Sequence, residues 1–197
     1  MPSKRRGLAV LLAGLLGIAS ARGGQLSVEV GDPRDRAYLP AVFGAWRGVG
    51  RDLHALGLTL PDTRLEAATS ASDFARRTGE PWFVAATTRG AVIHTQRLGA
   101  LAARGTLPLT IRHEAFHAAQ PRSLPRWLAE GLARLFSGEA ERDPRGPTGL
   151  EGLPEGTLSA RLAARGEGDL SAAYREATRR ARQLVQTRGW AKVLARK

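Results

Sequence analysis

The seven residues Ile111-Arg112-His113-Glu114-Ala115-Phe116-His117 constrain this chain more than any other stretch. They sit in an apolar segment opening near Leu107, whose spacing predicts a helix. Two side chains four apart in a helix lie on one face, one turn from each other. Both imidazoles can then reach a single metal ion at about 2.0–2.1 Å. Glu114 is rotated away by about 100° around the helix axis. Its carboxylate therefore does not ligate, but it can reach a water bound at the open position of the ion.

The chain has no cysteine, which removes both disulfides and thiolate ligands, so the metal must be held by His and carboxylate. A catalytic ion of this kind needs a third protein ligand. Downstream the chain reads Leu124-Pro125-Arg126-Trp127-Leu128-Ala129-Glu130-Gly131-Leu132-Ala133, and Glu130 is the candidate. Pro125 suits the first turn of a new helix, and Leu128, Leu132 and Phe136 give that helix an apolar stripe. Gly131 costs about 1 kcal/mol relative to Ala inside a helix, so it is expected to allow close backbone approach to the metal-bearing helix. Zinc in such a site lowers the pKa of its water toward about 7, and Glu114 can take the proton as the water attacks a polarised carbonyl.

His113-Glu114-x-x-His117 followed by Pro125-x-Trp127-Leu128-x-Glu130-Gly131-Leu132-Ala133 resembles the gluzincin clan of zinc metallopeptidases, specifically its peptidase MA-like members. The resemblance covers residues 107 to 136. It implies a zincin-like fold, a peptide or protein substrate, Zn2+ held by His113, His117 and Glu130, and Glu114 as general base. It also implies an Ala-Tyr pair at the start of a helix after a loop. Tyr174 then becomes the candidate catalytic donor to the developing oxyanion, against the reading in which its ring only packs under the helix. Thermolysin-like gluzincins carry an acid four positions after the ligand Glu, where this chain has Arg134, so the resemblance names no orienting partner for the histidines. A metzincin would need a Gly and a His shortly after His117, and neither is there.

Residues 1–21 read as a secretory signal: Lys4, Arg5 and Arg6 form a positive start, Gly7 to Ile18 an apolar run, and Ala19-Ser20-Ala21 a cleavage site. About a dozen apolar residues fall short of the roughly 20 that span a bilayer. The expectation is an exported protein, periplasmic or secreted, with residues 22–197 as a single peptidase domain and no transmembrane segment after cleavage. The formal charge of +12 comes almost wholly from Arg scattered among acids, with no recognisable nucleic-acid module, so no nucleic-acid partner is expected. The charge reads as coding bias, or as weak electrostatic attraction to anionic envelope polymers and head groups.

Strands are expected at Leu26–Val30, Arg64–Thr69, Pro81–Thr87 and Ala91–Gln96, with helices at 36–56 and 72–78 between them. From Leu98 onward the spacing is helical, interrupted by one surface loop from Gly138 to Gly156. Ala173, Ala177, Ala181 and Val185 form a core stripe on the last long helix, with Arg175, Arg179 and Arg182 on a solvated face. The fold class is α+β, a small N-terminal sheet with helices beside a mainly helical, zinc-binding half. If Ala91–Gln96 is an edge, an extended peptide could pair with it beside the metal. His94 reads as a strand residue that could lie near the cleft, and His54 as a surface residue.

The leading function is an exported zinc metallopeptidase. The alternative is a catalytically weak or inactive zinc-binding homologue acting as a binding or regulatory protein of the cell envelope. A basic structural protein with incidental histidines would bind no stoichiometric metal.

Overall fold

The computed structural model describes residues 24–163 and 167–196. The leader read over residues 1–21 lies outside them.

Apolar and polar residues alternate along the first strand, β1 (Leu26–Val30), so Leu26, Val28 and Val30 turn inward while Ser27 and Glu29 stay exposed. β1 runs parallel to β2 (Thr63–Ala67), and β2 runs parallel to β4 (Val92–Thr95). β3 (Ala86–Arg89) closes the sheet antiparallel to β4, giving the order β1-β2-β4-β3. The register places Val28, Leu65, Ile93 and Thr88 in one row on one face, and Glu29, Glu66, His94 and Thr87 in a row on the other. The first row belongs to the core side, where Leu65 and Ile93 are fully buried.

Two strand expectations change here. The third strand starts at Ala86 rather than Pro81, because residues 81–85 form a turn in which Val84 donates to the Pro81 carbonyl and Gln96 binds the carbonyls of Trp82 and Val84. The strand within Ala91–Gln96 is not an edge: β4 has β2 on one side and β3 on the other, so its backbone has no free row to offer a peptide. The free edge beside the helical half is β3.

Between β1 and β2 the expected helix divides into a 3-10 turn (Pro33–Tyr38) and α1 (Leu39–Ala55). Gly44, Gly48 and Gly50 stay helical because Val42, Trp46, Val49 and Leu53 of the same helix are buried against the sheet and the helical half. Each buried side chain contributes about 1.5–3 kcal/mol, which outweighs about 1 kcal/mol per glycine. Asp35 of the 3-10 turn is fully buried. Its carboxylate accepts from the backbone N–H groups of Leu98 at 2.7 Å and Gly99 at 3.1 Å, capping α3 (Leu98–Ala103) from a distant part of the chain. α2 (Ala71–Thr78) is capped at its start by the Ser70 hydroxyl.

The second half is helical as expected: α4 (Leu107–Ala119), α5 (Arg126–Ser137), a 3-10 turn (Glu139–Arg142), α6 (Glu155–Arg161), α7 (Glu167–Arg188) and α8 (Trp190–Leu194). Pro125 occupies the position before α5 rather than its first turn, with an extended ψ of 146° that ends the preceding loop. One hydrophobic cluster joins both halves, from Val42 and Leu65 through Ile111, Phe116 and Trp127 to Val193 and Leu194. The architecture is α+β. Among the described residues no helix is long and apolar enough to cross a membrane.

Gly131 makes a close approach, but to α7 and not to α4, the helix of His113 and His117. A Cβ there would lie 2.4 Å from the Ala177 carbonyl oxygen and 2.8 Å from the Ala181 Cβ. Ala173, Ala177 and Ala181 are fully buried, so small residues on both helices set their separation; Val185 is only partly buried. Arg179 and Arg182 are exposed as expected, and the arginines of α7 are engaged as well. Arg175 donates to the Pro147 carbonyl, and Arg179 and Arg180 pair with the fully buried Glu176 at 2.7 and 2.6 Å. The stretch Gly138–Gly156 is likewise not only surface loop, since it buries Ala140 and Leu150 and carries the Glu139–Arg142 turn.

Candidate metal centre

α4 brings His113, Glu114 and His117 into the middle of the molecule because the opposite side of the same helix packs Ile111, Ala115 and Phe116 into the core. Pro108 in its first turn removes a donor that would have had no helical acceptor. α5 crosses beside it. Trp127, Leu128 and Leu132 are buried, and Glu130 on the remaining face meets the two histidines.

The three candidate ligand atoms form a triangle. His113 Nε2 and His117 Nε2 are 3.0 Å apart, and each lies 3.4 Å from Glu130 Oε2. A tetrahedral ion with ligands at about 2.0–2.1 Å holds its ligand atoms about 3.3 Å apart, so one ion fits all three.

The outer nitrogens agree with that fit. His113 Nδ1 lies 3.1 Å from Glu139 Oε2, so this nitrogen donates, and in the neutral imidazole Nε2 keeps its lone pair for an ion. His117 Nδ1 lies 2.8 Å from Gln120 Nε2, while Gln120 Oε1 is buried with no partner. Exchanging the amide oxygen and nitrogen lets Oε1 accept from His117 Nδ1–H, and both imidazoles then turn a bare nitrogen to the same point. Two lone pairs 3.0 Å apart repel unless a cation lies between them.

Charge points the same way. Burial opposes a charge on His113, yet Glu139 and Glu130 outweigh it and raise the imidazole pKa well above its ordinary value. Burial would raise Glu130, but His117 and His113 hold its carboxyl well below the usual range. Glu139 is also lowered, by His113 and then Arg134 acting against burial. Glu130 and Glu139 thus face the two imidazoles, an arrangement that suits a cation held among them.

Glu114 is 95% buried and does not join the triangle. The Thr88 hydroxyl of β3 donates to its Oε2 at 2.7 Å, fixing the carboxylate at the sheet edge. Burial raises the Glu114 pKa, with the two histidines and Thr88 pulling the other way. Tyr174, on α7, is half-buried with the Arg134 guanidinium 5.6 Å from its ring centre. Burial and then Glu130 push its hydroxyl above the ordinary range, against a smaller opposing effect of Arg126.

The residues singled out in the sequence fall into two groups. His113, Glu114, His117, Glu130 and Tyr174 come together. His94 does not: it stands on the opposite face of the sheet from Thr88, with Nδ1 3.3 Å from Glu66 Oε2. His54 is exposed. Glu139, Gln120 and Thr88 escaped the sequence reading. Gln120 had a signal, since it is three residues after His117 on the same helix face. Glu139 had none at fixed spacing, because α5 first ends at Gly138, whose φ of +88° turns the chain back toward His113. Arg134 holds Glu139 from behind at 3.9 Å and binds Asp143. The acid missing from the position four after Glu130 is thus supplied five residues further on.

Beside His117 opens a cavity of about 370 Å³, bounded by Thr88, the Gly90-Ala91 turn, Gln120 and Arg122. Comparison of the chain with family models, with curated proteins and with solved structures finds no match.

Proposed function

We propose that the chain is an exported zinc metallopeptidase of zincin-like fold that hydrolyses peptide bonds, with His113, His117 and Glu130 as metal ligands and Glu114 as general base. The observation that carries this reading is the placement of Glu114: buried and fixed by Thr88, next to but outside a ligand triangle of the size a tetrahedral ion needs. Zinc bound there supplies Lewis acidity and a water acidified to about pKa 7. Imidazole and carboxylate donors without thiolate suit that ion.

Glu114 takes the proton of the attacking water and returns it to the leaving amine. Its raised pKa brings it nearer to the water it must deprotonate than an exposed carboxylate would be. Tyr174, whose hydroxyl stays neutral, is the candidate donor to the oxyanion that develops on the carbonyl. β3, the free edge next to Glu114, is the strand with which an extended peptide would pair. Export rests on the leader read over residues 1–21, and the positive charge favours weak contact with anionic envelope material.

The alternative, a zinc-binding homologue without turnover, drew support from the missing acid after Glu130. Glu139 weakens that support. Glu114→Gln separates the two readings. A peptidase variant should keep its zinc and lose hydrolysis of a casein digest by about 10²–10⁴-fold. A variant that keeps the wild-type activity would overturn the assignment of Glu114 as base.

A further inference from the structure

The cavity beside His117 has walls of mixed character but one free charge. Pro61, Gly90, Ala91 and Ala118 are uncharged, Thr88 and Gln120 are turned to Glu114 and His117, and Arg122 stands exposed at its rim. Most arginines among the described residues are spoken for, for example Arg97 by Asp35, Arg112 by Asp52, Arg134 by Asp143 and Arg180 by Glu176. Arg122 has no hydrogen bond or ion pair among the described residues. It lies in the short segment between α4 and α5, which runs from one metal ligand to the next. Its backbone is therefore held at both ends, and Arg122 lines the cavity while remaining exposed at its rim.

A planar guanidinium with unused donors recognises a carboxylate through two parallel hydrogen bonds. No acidic side chain lines the cavity to compete for it. The volume of about 370 Å³ takes a single amino-acid residue with room for its backbone.

We propose that this cavity is a substrate subsite for a carboxylate, with Arg122 as the specificity residue. The carboxylate comes from the C-terminus of a short peptide or from an Asp or Glu side chain next to the scissile bond. The proposal rests on the metallopeptidase reading, because it places the subsite against a metal ligand.

Mercaptoacetyl-alanine and its carboxamide test it, with the thiolate as anchor to the metal and the second group reaching the cavity. Dissociation constants are measured by calorimetry on the zinc-loaded protein, whose zinc content is determined on the same samples. The free acid should bind more tightly than the amide by about fivefold or more. Arg122→Gln should bind acid and amide alike with unchanged zinc content, and Arg122→Lys should keep part of the preference. Mercaptoacetyl-glutamic acid α-amide, with a blocked C-terminus and a free side-chain carboxylate, separates the two sources: recovery of tight binding assigns the subsite to acidic side chains, and failure to recover assigns it to C-termini. Equal binding of acid and amide by zinc-loaded wild type, or an undiminished preference in Arg122→Gln, would overturn the subsite and leave the peptidase reading standing. A folded protein that takes up no zinc would overturn both.

Discussion

His113 Nδ1 lies 3.1 Å from Oε2 of Glu139, a residue 26 positions away that no metal-binding spacing singles out. The contact fixes the imidazole ring and its tautomer, and Arg134 steadies the carboxylate from the other side. Such outer partners change metal affinity by about 10–100-fold. Glu139→Gln, which keeps the shape and removes the charge, should weaken zinc binding by about tenfold or more in competition with a chromogenic chelator. Unchanged affinity would show that the contact does not support a ligand.

Gly131 packs its Cα against the Ala177 carbonyl, at a distance that leaves no room for a methyl group. Gly131→Ala gains about 1 kcal/mol of helix propensity. The added Cβ meets backbone at 2.4 Å, which cannot rotate away, and overpacking of this kind costs about 1–3 kcal/mol or more. The clash should win, with a net loss of about 1–2 kcal/mol in urea unfolding. An unchanged or higher midpoint would mean that α5 and α7 are free to move apart.

How much of this was legible in the sequence follows from how local each signal is. His113, Glu114 and His117 lie within five residues of one helix, so the geometry of a single turn places them. Glu130 depended only on the next helix crossing the first, and its Trp-x-x-Glu-Gly context carried it. The function of Gly131 was read correctly as close approach, but its partner was not, since α7 is more than 40 residues further along. Strand order was invisible for the same reason. Alternation tells which face of Ala91–Gln96 is buried, but only pairing with β2 shows that the strand is internal and that His94 turns away from the cleft. Glu139 was hidden because a glycine turn, not a helical repeat, carries it to His113.

Glu176 provides a pH test away from the candidate metal site. It is fully buried; burial raises its pKa, but hydrogen bonds from Arg179, Arg180 and Thr148 win and lower it to about 2 from the ordinary 4.5. A carboxylate whose folded pKa is depressed adds stability that is fully present above its unfolded pKa and is lost as pH falls through the folded one. Wild type should therefore exceed Glu176→Gln by about 3 kcal/mol at neutral pH, and the gap should close between about pH 4.5 and 2. A gap independent of pH over that window would assign the loss to packing instead of charge.

Zinc content is the most direct test of the central claim. The wild-type chain, purified without added metal and then reconstituted and desalted, should hold about one zinc per molecule, and Glu130→Ala handled identically should lose it while keeping its helical circular dichroism. A folded wild-type chain with no zinc, or a Glu130→Ala variant that retains the full amount, would contradict the three-ligand site and with it the metallopeptidase reading.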